Sequence, residues 1–70
     1  MANDICVRVG RRIRLSRAAK GWTQQQLADM AQVGRQHICD LENGKREVGI
    51  LMLERISEAL NVRVRELIDP

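Results

Sequence analysis

The sequence has no Phe and no Tyr, and its only aromatic residue is Trp22. The core must therefore come from Leu, Ile, Val, Ala and Met, with stability left modest unless a second subunit adds buried area. The shortage of rings also argues against RNA or single-strand binding, where bases stack on aromatic side chains. Trp22 stands beside a helix start and is read as a packing residue. There is one histidine, His37, and the two cysteines, Cys6 and Cys39, stand apart with no CxxC. No metal-ligand cluster, disulfide framework or nucleophile–His pair is legible, and no Gly-rich phosphate loop. No catalytic residue, metal or cofactor is expected, and an enzyme is disfavoured. No apolar run is long enough to span a bilayer, and the N-terminus has no signal-peptide pattern. A cytoplasmic protein with reduced thiols and no membrane partner is the expectation.

What is present fits one small domain over residues 1–70, since 70 residues divide into nothing large enough to bury two cores. The hydrophobic fraction, 44%, is that of a globular chain. The net charge of +3 is unevenly spread: residues 1–46 hold nine Lys/Arg against four Asp/Glu, a net of +5, and residues 47–70 hold three against five, a net of −2. A basic two-thirds beside an acidic tail suits a polyanion-binding face backed by a face with another task. Charge alone leaves a merely solvated surface as an equal alternative.

Periodicity predicts five short helices. Asn3 or Asp4 caps a first helix to about Lys20, with Ile5, Val9 and Ile13 on one face and Gly21 as the stop signal. Thr23 and Gln26 form a capping box for the second helix, with Leu27, Ala28 and Ala31 on its apolar side. The segment Gln32-Val33-Gly34 breaks the pattern. A third helix runs from about Arg35 to Glu42, with Ile38 and Leu41 inward and Gln36, Asp40 and Asn43 outward. Asn43-Gly44 ends it before a basic loop. Ile50, Leu53, Ile56 and Leu60 mark a fourth helix ended by Asn61. Leu67 and Ile68 belong to a last turn over residues 64–68.

The order Gly10-Arg11-Arg12-Ile13-Arg14, Arg17, Gly21-Trp22-Thr23-Gln24, Leu27-Ala28, Val33, Ile38, Leu41-Glu42-Asn43-Gly44-Lys45, Leu53, Ile56, Ala59-Leu60 and Glu66-Leu67 resembles the lambda-repressor-like (XRE) helix-turn-helix family from residue 9 to about 68. The resemblance implies an all-α, compact five-helix DNA-binding domain, with the helix-turn-helix at about 23–43 and a C-terminal part at about 50–68. It places base readout on Arg35, Gln36, His37 and Asp40. Arg35 pairs chemically with guanine, Gln36 with adenine and Asp40 with cytosine N4. It places DNA phosphates at Gln24, at a helix N-terminus that favours anions, and at Asn43, Lys45 and Arg46. It also implies a structural ion pair between Arg17 and Glu42. Several family features are missing: Gly34, Gly49 and Arg63 stand where Ser or Thr is usual, Val48 where Pro is common and Gln32 where Gly is common, so those helix starts look less well capped.

Leu51, Met52, Val62 and Val64 are apolar positions the core periodicity does not all require. They suggest a homodimer contact, or else a generous core edge. A dimer would match an inverted-repeat double-stranded DNA operator, since paired half-sites lie about one helical turn apart. The expected function is a sequence-specific transcriptional regulator, a repressor or a restriction-modification or phage-type controller. The alternative is an antitoxin-type module whose main target is a protein partner.

Overall fold

The structure is a computed structural model that describes residues 4–70. Asn3, one of the two expected caps of the first helix, lies outside the described residues. Five helices follow in order: α1 (Asp4–Ala19), α2 (Gln24–Ala31), α3 (Arg35–Glu42), α4 (Ile50–Leu60) and α5 (Val64–Ile68). No strand occurs among the described residues. The all-α, five-helix expectation holds.

The helix starts differ in chemistry. Thr23 Oγ1 accepts from the Gln26 N–H at 3.1 Å, and Gln26 Oε1 accepts from the Thr23 N–H at 2.7 Å, so the capping box of α2 is complete. Gly34 and Gly49 begin α3 and α4 without a side-chain cap, as the missing Ser/Thr foretold. Arg63 is better served than expected, because the Glu66 carboxylate accepts from its backbone N–H at 2.6 Å.

The helix ends share one solution. The first four helices each close with a residue at positive φ: Gly21, Gln32, Gly44 and Asn61. In each case that residue's N–H and the next one reach back to two late carbonyls. Lys45 N–H donates to the Asp40 carbonyl at 2.9 Å and Gly44 N–H to that of Leu41 at 3.1 Å; Trp22, Val33 and Val62 repeat the longer bond. This pattern satisfies carbonyls that a helix end otherwise leaves open. Gln32 and Asn61 carry it without glycine, at a steric cost that Asn tolerates better.

α1 packs on α3 and α5, and α2 on α3 and α4. The core is one cluster that includes Val9 and Ile13 of α1, Leu27 of α2, Ile38 of α3, Ile56 and Leu60 of α4, and Leu67 of α5. Trp22 and Val33 pack against its edge. Gly10 lets α1 cross α3 closely, since a Cβ there would lie 2.1 Å from the Leu41 carbonyl oxygen. Two apolar-period residues stay outside the core. Ile5 is 41% exposed and Ile50 is 85% exposed, although both sit on the apolar period of their helices. Each stands in its helix's first turn, and both line one open groove with Val9, Leu41, Leu53 and Ile68.

Candidate nucleic-acid interface

The three N-terminal helices meet at one carboxylate. Glu42, the last residue of α3, has a side chain only 1% exposed. It accepts from Arg17 Nε at 2.6 Å, from the terminal Arg17 Nη2 at 3.0 Å, and from Gln24 Nε2 at 3.1 Å. The remaining Arg17 Nη1 donates to the Trp22 carbonyl at 2.6 Å. One guanidinium therefore ties α1 to α3 in a bidentate pair and clamps the α1–α2 turn. The bond to Glu42 raises the Arg17 pKa above its already high ordinary value, against the lowering effect of burial. A base raised on folding contributes stability that is lost only as pH climbs past its folded pKa. For an arginine that lies above any physiological pH.

Gln24, expected at a phosphate, is half-buried and has its amide nitrogen engaged with Glu42. Its backbone N–H opens α2, in the first turn where N–H groups have no intrahelical partner. Any anion contact at this position falls to that N–H and to the second hydrogen of the NH2 group, since Oε1 can only accept.

The inward side of α3 is Ile38, Leu41 and Glu42, all buried. The helix is two turns long, so its opposite side is short and well defined. Gln36 and Asn43 are exposed there, and Asp40 and Cys39 are partly covered. Arg35 is exposed at the start of the helix, and His37 is half-buried at the flank. Gln36 Nε2 donates to Asp40 Oδ1 at 3.0 Å. Asp40 Oδ2 also stands 3.8 Å from Arg46 Nη1. Asn43 Nδ2 donates to the Cys39 sulfur at 3.5 Å. Lys45 and Arg46 extend from the loop beyond Gly44, both exposed. Arg35, Gln36, Asp40, Asn43, Lys45 and Arg46 thus belong to one helix and the loop that continues it.

A short helix, a three-residue turn and a second short helix, locked by a buried ion pair, set the family. The helix-turn-helix family profile matches residues 13–67. The chain belongs to the helix-turn-helix family, of the XRE type. Among relatives, it is 39% identical over 59 residues to the competence pilus inhibition repressor of Acinetobacter baylyi, covering 84% of this chain and 54% of that protein. It is 36% identical over 70 residues to the control protein C.BamHI of Bacillus amyloliquefaciens, covering 99% and 86% of the two chains. Among solved structures, the restriction-modification controller protein C.AhdI of Aeromonas hydrophila superposes with a TM-score of 0.87 at 33% identity, covering 90% of this chain and 96% of that one. The chain therefore spans about half of the first relative and most of the other two.

Within this helix-turn-helix unit, charge counting overstated the basic face. Arg8 Nε and Nη2 both donate to the Ile68 carbonyl, at 3.1 and 2.9 Å. Arg12 donates to the carbonyls of Glu66 and Asp69. Two of the α1 arginines thus fasten α5 and the residue after it. The only sequence signal was their spacing of four, which puts both on one side of α1.

The four residues expected at a dimer contact are also divided. Met52, Val62 and Val64 are half-buried and pack against the core, so they serve its edge. Leu51 is 74% exposed and stands beside the unexpectedly exposed Ile50. Among the described residues, no group of three His, Cys, Asp or Glu is placed to hold a metal ion, and no helix is long and apolar enough to cross a membrane.

Proposed function

We propose that this helix-turn-helix chain is a sequence-specific, double-stranded DNA-binding transcriptional regulator of the restriction-modification controller type, acting as a homodimer in the cytoplasm. The observation that carries the reading is the pairing of a rigid base with a polar outward face. Glu42 fastens α3 to α1 and α2, and the opposite side of α3 presents donors and acceptors in two turns. The near full-length match to a control protein and the fit to C.AhdI support the controller type. The repressor among the relatives supports regulation through promoter occupancy.

In this reading α3 lies in the major groove. Arg35, Gln36 and His37 meet base edges, and Asp40 lies one turn on, bonded to Gln36. The α2 N-terminus at Gln24 and the loop residues Asn43, Lys45 and Arg46 hold the sugar-phosphate backbone. Such backbone contacts set register and leave sequence choice to α3. Ile50 and Leu51, two large exposed apolar side chains at the α4 N-terminus, supply the centre of a two-fold contact. That symmetry is what an inverted-repeat operator requires.

The experiment is in-vitro selection from a random duplex library, followed by binding of the winner to wild type and to the Arg35→Ala/Gln36→Ala variant. An inverted-repeat winner, lost selectively by the double variant, supports the proposal. Weak, steeply salt-dependent binding with no enriched sequence refutes it.

A further inference from the structure

Asp40 carries a negative charge into a surface that otherwise serves a polyanion. Its neighbours give that charge a task. A glutamine amide has two flips that present opposite hydrogen-bond patterns, and nothing in the side chain itself chooses between them. Here Gln36 Nε2 donates to Asp40 Oδ1 at 3.0 Å. The opposite flip would turn Oε1 toward the carboxylate, acceptor against acceptor. With the nitrogen committed to Asp40, Gln36 keeps one N–H and both lone pairs of Oε1. That is one donor and one acceptor side by side, the set that matches adenine N7 and N6.

The second carboxylate oxygen of Asp40 stands 3.8 Å from Arg46 Nη1. The Asp40 carbonyl holds the same loop through Lys45 N–H at 2.9 Å. Asp40 therefore stands between a base-reading amide and a phosphate-seeking cation. A similar glutamine–aspartate bond, Gln25 Nε2 to Asp29 Oδ1 at 2.8 Å, occurs on α2, and there no ion pair to Asp29 is found among the described residues. The arrangement with a cation attached is particular to α3 and its loop.

We propose that Asp40 is a positioning residue that sets specificity: it fixes the Gln36 amide in the adenine-reading orientation, while its charge, beside Arg46, lowers affinity for every duplex alike. The proposal rests on the major-groove reading above. Against phosphates a carboxylate is unfavourable on every duplex, so it lowers affinity everywhere. That common loss cancels from discrimination, which comes from the oriented amide gaining its two-bond contact at adenine alone. Asp40 acts through Gln36 and makes no base contact of its own.

The test uses the intact chain, the operator selected by wild type and a scrambled duplex. Asp40→Ala, Asp40→Asn, Gln36→Ala and the Gln36→Ala/Asp40→Ala double variant are compared by fluorescence anisotropy and by repeat selection, each checked by thermal melting. Asp40 lies with its side chain partly in solvent, and all four variants keep the helix backbone intact. Asp40→Ala is expected to bind the scrambled duplex several-fold more tightly and to lose about tenfold or more in discrimination, at the same base pair that Gln36→Ala affects. With Gln36 already removed, Asp40→Ala should cost no further discrimination. Asp40→Asn keeps an acceptor for Gln36 without the charge, so it should retain the base preference and still gain affinity for the scrambled duplex. If Asp40→Ala and Gln36→Ala affect different base pairs, or their losses add, Asp40 reads a base directly and the inference fails while the major-groove reading stands. Unchanged scrambled-duplex affinity in both Asp40 variants overturns it equally. If wild type selects no sequence at all, both readings fall.

Discussion

Replacing Arg17 with Leu should destabilise this domain rather than weaken one DNA contact. The carboxylate left behind is almost fully enclosed, at 1% exposure, and would keep a single donor, Gln24 Nε2. The Trp22 carbonyl loses its partner as well. Removing one member of a buried pair costs about 3–5 kcal/mol. The upper part of that range applies here, because Glu42 has no route to water. Glu42→Leu should cost less, about 3 kcal/mol, since the Arg17 side chain is 16% exposed and keeps its bond to Trp22. A chain this short has a total stability of about 4–10 kcal/mol. Arg17→Leu therefore removes roughly half of it, and the melting midpoint should fall by about 20 °C or more. The Arg17→Leu/Glu42→Leu pair should recover much of the loss, because no stranded charge remains. Circular-dichroism melts and urea titrations of the four proteins measure this. A midpoint within about 4 °C of wild type for Arg17→Leu would refute the reasoning, placing the pair among surface ion pairs worth no more than about 1 kcal/mol.

Three further outcomes follow from the geometry. Gly10→Ala drives a methyl to 2.1 Å from the Leu41 carbonyl oxygen, so α1 and α3 must part; a loss of about 1–3 kcal/mol is expected in a urea melt, and an unchanged midpoint would mean the crossing is looser than described. Lys45→Ala should weaken operator and scrambled duplex by the same factor and reduce the slope of log affinity against log salt by about 0.9, whereas a loss confined to the operator would make Lys45 a sequence reader. Ile50→Asp with Leu51→Asp should turn a dimer into a monomer in sedimentation at micromolar concentration, and a wild type that already sediments as a monomer would remove the dimer from the proposal.

The sequence was most legible where one residue type has one physical use. Gly21 and Asn43-Gly44 marked helix ends because a left-handed residue there admits few alternatives. Thr23 and Gln26 marked a helix start because reciprocal capping needs that spacing. Ile38 and Leu41 were placed inward by period alone. Legibility failed where a side chain reaches across the fold. Nothing near Arg8 or Arg12 in sequence reveals that their partners are the carbonyls of Glu66, Ile68 and Asp69. Ile50 shares the apolar period of α4 and is still 85% exposed, because period describes direction around a helix and says nothing about whether a neighbour is there. Within the interface, sequence offered Gln36, Asp40 and Arg46 as separate contacts. Their chain of bonds depends on rotamers and on the turn at Gly44, which only three-dimensional packing fixes.

The grip of Arg8 on Ile68 joins residues 60 positions apart in a chain of 70. The four helices after α1, of 8, 8, 11 and 5 residues, are too short to persist alone in water. The first helix finds its full set of neighbours only when the last one has formed. Folding is therefore a single concerted event that closes nearly the longest loop available, at an entropic cost that grows only with the logarithm of its length. The same closure works in reverse. Every helix contributes to the one core, so a cut between α1 and α5 divides that core between two pieces and takes from the closure its covalent link.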